Sequence, residues 1–211
     1  MSQVKERIIH LIRHGETDWN IGNRMLSHTD IPLNRNGRKQ ATLLTQTLSD
    51  LPFDVVVSSD LSRALETARI VKGDRQIRII TTPQLREKDY GELEGLTVAE
   101  VAAMNLEITG QSMEQAFAAK HHPSMESDQE VAARALSYLS ESWLEQYTSI
   151  LAVTHSGVIR SLLIATRYAD YNTLRHGAIG NCAHAVLSVM NEQFTFLELT
   201  GVSLKGKYVE N

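Results

Sequence analysis

Three short runs along the chain are apolar with little interruption: Arg-Ile-Ile-His-Leu-Ile-Arg at 7–13, Asp-Val-Val-Val-Ser at 54–58 and Ser-Ile-Leu-Ala-Val-Thr at 149–154. Such β-branched runs, without the alternating polarity of a half-exposed strand, predict strands buried on both faces of a parallel sheet. Each gives way to polar residues and then to apolar positions at helical spacing, over 35–49 after a long loop and over 61–72 and 156–169 at once. This βα repetition predicts an α/β fold: a three-layer α/β/α sandwich around a doubly wound, mostly parallel central sheet.

Two later helices announce their starts by a hydroxyl residue answered three positions on by a glutamate, Thr97 with Glu100 and Ser127 with Glu130. These capping boxes predict helices near 97–105 and 128–146. Trp143, Leu139, Leu136 and Ala132 recur at helical spacing and read as a packed face. Between the two helices, 106–127 is polar and irregular, contains His121, His122 and Pro123, and is expected to leave the sheet edge as a loop or a substrate lid. Apolar positions in 183–190 and 193–199 flank Asn191-Glu192 and predict a closing hairpin, with 200–211 as a loose tail. No repeat, low-complexity tract or linker-like break divides the chain, so one domain over 1–211 is expected.

Composition narrows the function. The 211 residues are 42% hydrophobic and 22% charged, with a formal net charge of −4. A globular domain follows, and the acidic balance argues against a general nucleic-acid or anionic-membrane surface, so any positive site must be local. The single Cys182 cannot form an internal disulfide, and no CxxC or Cys/His array suggests zinc. A cytoplasmic setting is expected. The apolar run at 8–12 is too short for a signal-peptide core, and no stretch approaches the roughly 18 apolar residues of a membrane span. The sequence does not reveal an oligomeric state.

The chemistry gathers where strands are predicted to end, which is where open α/β sheets bind ligands. After the first strand stand Arg13-His14-Gly15-Glu16-Thr17; after another, His155-Ser156-Gly157 opens a helix whose first N–H groups and positive dipole end favour an anion. Arg63 lies in the first turn of the helix following Val55-Val56-Val57-Ser58-Ser59. Two guanidinium forks, two imidazoles and a helix N-terminus in one crevice suit a phosphate dianion. Spacing alone goes no further than a phosphate pocket.

The segment Leu11-Ile12-Arg13-His14-Gly15-Glu16-Thr17-Asp18-Trp19-Asn20 resembles the signature of the histidine phosphatase superfamily, the phosphoglycerate mutase-like group. The resemblance runs on in order through Asp30-Ile31-Pro32-Leu33-Asn34 to Gly37, Ser58-Ser59-Asp60-Leu61-Ser62-Arg63-Ala64, Leu85-Arg86-Glu87 with Gly91-Glu92-Leu93-Glu94-Gly95, and Val153-Thr154-His155-Ser156-Gly157-Val158-Ile159-Arg160. It implies a phosphoglycerate mutase-like fold, His14 as a nucleophile that is phosphorylated, Arg13, Arg63 and His155 as holders of the phosphoryl oxygens, Asn20 as an auxiliary phosphate ligand and Glu87 as proton donor, with Glu16 and Glu92 as fallback acids. No metal or other cofactor is implied, and the partner is a small phosphorylated substrate. The implied activity is phosphomonoester hydrolysis; mutase-type return of the phosphoryl group and a non-catalytic phospholigand scaffold are the alternatives. Members that are mutases are longer and arginine-rich in the middle segment, whereas 97–130 here offers only Lys120 as a fixed positive charge.

The chain departs from the family where Leu26-Ser27 replaces the frequent Gln-Gly, which implies a less polar substrate contact, and where Ser124-Met125-Glu126-Ser127 replaces Gly-Gly-Glu-Ser, which alters a turn. The Gly201–Lys207 stretch imitates a nucleotide-binding P-loop, but Tyr208 stands at the hydroxyl position and no helix can follow. His28, His121, His122 and His176 are spaced too irregularly to read as metal ligands. His10 and His184 fall within predicted strands as structural histidines, and Cys182 reads as a small buried residue.

Overall fold

The computed structural model describes residues 6–104, 112–174 and 177–205. Six strands form one sheet: β1 (Arg7–Arg13), β2 (Val55–Ser59), β3 (Ile79–Thr82), β4 (Ser149–Thr154), β5 (Ile179–Met190) and β6 (Gln193–Val202), in the order β3-β2-β4-β1-β5-β6. The first four run parallel; β5 and β6 are antiparallel and close one edge as the expected hairpin.

Strand alternation distributes the apolar runs to two cores. Ile12, Val56, Leu151 and Val153 pack beneath α2 (Arg35–Thr47) and α3 (Ser62–Lys72). Ile9, Leu11, Val55, Val57, Ile150 and Ala152 pack beneath α6 (Asp128–Leu139) and α7 (Ser156–Ala165). Helices on both faces of a mostly parallel sheet make the three-layer sandwich. Short helices α1 (Asp18–Ile21), α4 (Val98–Ala103) and α5 (Met113–Ala118) complete the set. Both predicted capping boxes form, and Thr17/Asn20 and Ser112/Gln115 add two more.

Several boundaries differ from the sequence reading. β3 was not anticipated: it is a four-residue edge strand, half exposed, and too short to show a period. The helix expected over 128–146 stops at Leu139 and resumes as a 3-10 turn over Ser142–Gln146, because Glu141 is extended (ψ 137°) and accepts the Trp143 indole N–H at 2.6 Å. The helix expected over 156–169 ends at Ala165, where Arg167 takes a left-handed conformation (φ 58°) of the kind that terminates helices. Within 106–127, the described residues carry α5 rather than continuous loop, while 106–111 lie outside the described residues, as does His176. The tail begins later than expected, since β6 runs on to Val202 and Ser203 N–H bonds Ala178 O; most of the P-loop-like stretch is thus strand or lies beyond the described residues.

Candidate active site

Register fixes the centre of the site. Arg13 on β1 pairs with Thr154 on β4, so the next residues, His14 and His155, emerge side by side at the carboxyl ends of adjacent parallel strands. Their rings stand 5.0 Å apart between centroids, inclined at 60°. β2 ends alongside at Ser59, and α3 starts three residues later with Arg63 in its first turn.

His14 is 2% exposed, and its Nδ1 lies 2.7 Å from the carbonyl of Gly15. A carbonyl only accepts, so Nδ1 carries the hydrogen and Nε2 keeps its lone pair. Burial holds the His14 pKa well below the ordinary imidazole value, with the charges of Arg63 and Arg13 acting in the same direction against the Gly15 bond. His155 is shifted the same way by burial, then by Arg63, His14 and Arg13. Both rings are neutral at neutral pH.

Arg13 donates to Ile179 O at 2.5 Å, and Arg63 donates to Thr29 O at 3.1 Å and Ser27 O at 2.6 Å. Carbonyls orient these guanidinium groups without cancelling their charge. His155 Nε2 lies 2.9 Å from Ser59 Oγ. Three buried atoms then have no protein partner: Arg13 Nε, Arg63 Nε and His155 Nδ1. Of the seven unpartnered buried side-chain atoms among the described residues, these three share one constellation, and the two guanidinium N–H groups among them suit acceptor oxygens.

Asn20 caps its own short helix: its Oδ1 accepts from Thr17 N–H at 3.0 Å and from Asn181 Nδ2 at 3.2 Å, which leaves its two amide N–H donors uncommitted. Asn181 arrives from β5, whose register with β6 shifts between Ile179 and His184 while Cys182 adopts φ 56° and bonds His14 O through its N–H at 3.3 Å. This bulge carries β5, the neighbour of β1, into the centre of the site. No sequence signal marked Asn181.

Glu87 is 3% exposed. Its Oε1 accepts from the N–H groups of Lys88 and Gly157, both at 2.8 Å, and its Oε2 from the Ser156 hydroxyl at 3.0 Å. The group seated at the α7 N-terminus is therefore the protein's own Glu87 carboxyl. The Cβ of any other residue at 157 would fall 2.2 Å from Glu87 Oε1, so glycine is required for the seat to exist. The fallback acids lie elsewhere: Glu16 accepts from Asn34 and Asn36, and the Glu92 side chain is 81% exposed.

A cleft of about 690 Å³ opens over these residues, with Arg13, His14, Asn20 and Glu87 at its floor; Arg63 and His155 are fully buried, His155 against the His14 ring. Leu26 lines the cleft, as its substitution for a polar residue suggested, together with Met25, Val98, Ala99 and Ala102. Arg24 and Arg160 add two outer cations. The cleft wall comes from α4, and no described residue of 112–127 lines it. Lys120 instead pairs with Glu130 at 2.9 Å. Among the described residues, no three His, Cys, Asp or Glu side chains are gathered as a metal ion would need. Arg13, the Asn20 amide and the neutral His14 beside a single carboxyl make the floor an anion's site rather than a cation's.

The family described as the histidine phosphatase superfamily (branch 1) matches residues 9–201. The adenosylcobalamin/alpha-ribazole phosphatase of Escherichia coli (strain K12) is 36% identical over 158 residues, covering 74% of this chain and 76% of that protein. A protein named 2,3-bisphosphoglycerate-dependent phosphoglycerate mutase 2, from Gloeobacter violaceus, is 32% identical over 163 residues, covering 74% of each. Among solved structures, Bacillus stearothermophilus YhfR superposes with a TM-score of 0.76 at 28% identity, over 96% of this chain and 98% of that one.

Proposed function

The chain belongs to the histidine phosphatase superfamily, and on that premise we propose that it hydrolyses a small phosphomonoester through a phosphohistidine at His14. The observation that carries this reading is the trio of unpartnered buried nitrogens on Arg13, Arg63 and His155 around a neutral imidazole whose Nε2 lone pair is available.

The substrate dianion lies on the floor of the cleft, its oxygens held by Arg13, Arg63, His155 and the Asn20 amide. His14 Nε2 attacks phosphorus, the bond to the ester oxygen breaks, and that oxygen leaves with a proton from Glu87. Glu87, now a carboxylate, takes a proton from water as the water oxygen attacks the phosphohistidine. The P–N bond breaks and orthophosphate leaves. Charge on the in-flight phosphoryl group is met by fixed guanidinium groups, so no divalent ion is required. Leu26, Val98 and Ala102 give the leaving group an apolar wall, which supports an organic metabolite as substrate. The single cysteine and the lack, among the described residues, of a helix long and apolar enough to cross a membrane accord with a cytoplasmic setting.

Mutase-type transfer uses the same floor. Hydrolysis is favoured because Lys120, the one fixed cation of 97–130, is tied to Glu130 and does not line the cleft. The test is to incubate the protein with small phosphomonoesters in excess EDTA and follow released phosphate and acid-labile phosphoprotein, with His14→Ala alongside. Phosphate release that survives EDTA and is lost in His14→Ala is the expected result. Label that remains on the protein until an added phosphoglycerate removes it would make the chain a mutase; ester binding without turnover would make it a scaffold.

A further inference from the structure

We propose that Asp128 is a positioning residue for the proton donor, acting through Lys88; the inference rests on Glu87 as the acid. Lys88 and Asp128 form an ion pair at 2.7 Å in which both side chains are less than a tenth exposed. Burying such a pair brings little net stability, because desolvation offsets the attraction, so its presence one residue from Glu87 calls for another reason. The reason lies in what Lys88 does with its backbone. Its N–H is one of the two that hold Glu87 Oε1, and its carbonyl accepts from the Ser27 hydroxyl at 2.9 Å.

Asp128 is the first residue of α6, set in place by the Ser127–Glu130 capping box. Its other oxygen accepts from the Tyr171 hydroxyl at 2.8 Å, and the Tyr171 ring lies under the Arg160 guanidinium at 5.0 Å from its centroid. Two residues earlier, Glu126 exchanges hydrogen bonds with Asp89: Glu126 N–H to Asp89 O at 2.9 Å, and Asp89 N–H to Glu126 Oε2 at 2.8 Å. Residues 126–128 therefore grip 88–89 at three points: one backbone pair, one backbone N–H to the Glu126 carboxylate, and the buried charge. The clamp on the loop that carries the acid thus starts directly after Ser124 and Met125, the two positions at which this segment departs from the family's Gly-Gly-Glu-Ser. The backbone contacts fix where that loop lies; the Lys88–Asp128 pair fixes the rotation that points the Lys88 N–H at Glu87 Oε1.

The experiment compares kcat on an alkyl phosphomonoester, whose leaving oxygen needs a proton, with kcat on p-nitrophenyl phosphate, whose leaving group needs little. A single Asp128→Asn would strand a buried ammonium, so the informative variant is Lys88→Met/Asp128→Asn, which removes both charges while the Asn side chain still accepts from Tyr171. Misplacing the acid is expected to lower the alkyl-ester kcat by about tenfold more than the p-nitrophenyl kcat. KM should stay within about twofold, and adding Glu87→Gln should cause no further loss on the alkyl ester. A folded double variant with the wild-type ratio of the two rates would overturn the proposal, provided Glu87→Gln alone shifts that ratio. If Glu87→Gln leaves the ratio unchanged, the acid assignment fails and the positioning role fails with it. Equal losses on both esters would reduce the pair to a structural role.

Discussion

Glycine 157 shows how little freedom single positions in this site retain. Its missing side chain is the space in which Glu87 Oε1 lies, and an alanine methyl there would also meet Lys88 Cβ at 3.0 Å. The flexible member is the carboxylate, so Gly157→Ala should fold and shift Glu87 rather than unfold the helix. A displacement near 1 Å of a proton-transfer group lowers kcat by about 100-fold. Steady-state kinetics on an alkyl ester should show that loss, with phosphohistidine still detectable after reaction with p-nitrophenyl phosphate. The motif around His14 and His155 was legible because each residue stands immediately after an apolar run. Asn181, Lys88 and Asp128 were not, since their relevance comes from a bulge and from a loop pairing that leave no period in the sequence.

Between elements, α2 closely approaches the turn after His14. A Cβ on Gly37 would lie 2.2 Å from Glu16 O and 2.6 Å from Glu16 N, and one on Gly15 would lie 2.5 Å from Gly37 O. All of these neighbours are backbone and cannot swing away. Gly37→Ala should therefore destabilise the fold by about 2 kcal/mol despite the better helix propensity of alanine, read as a lower urea midpoint at unchanged m. Here too the sequence was partly legible. The strand–helix alternation gave the layers and three of the strands, because strands buried on both faces cannot hide their composition, and the apolar positions around Asn191-Glu192 gave the closing two. β3 escaped because an edge strand of four residues carries almost no hydrophobic signal, and the helix ends at Leu139 and Ala165 escaped because local turns set them rather than a change in apolar spacing.

Over the whole molecule, a net charge of −4 coexists with buried guanidinium groups at one site, and the buried imidazoles fall into two pairs. His10 Nδ1 and His184 Nε2 meet at 2.9 Å across β1 and β5, and burial lowers both pKa values to about 4, with mutual repulsion adding to the shift at His10. In the unfolded chain these rings titrate near 6.5. A folded-state pKa below the unfolded one means that the unfolded chain binds more protons, so this contribution to stability is complete above about pH 6.5 and is lost as pH falls towards about 4. His14 and His155 add to the loss in the same direction. Urea midpoints measured from pH 7.5 down to 4 should fall, and fall less in His184→Gln.

The bulge that brings Asn181 to the site also sets Cys182, the one thiol in the chain, against the backbone of His14. Burial pushes that thiol up to about 12, in spite of Arg13 nearby. Oxidants and alkylating reagents attack the thiolate form, which this cysteine does not reach at physiological pH. The one thiol of the chain is thus kept silent beside the imidazole proposed as its nucleophile, so alkylating reagents should leave turnover of the native protein unchanged.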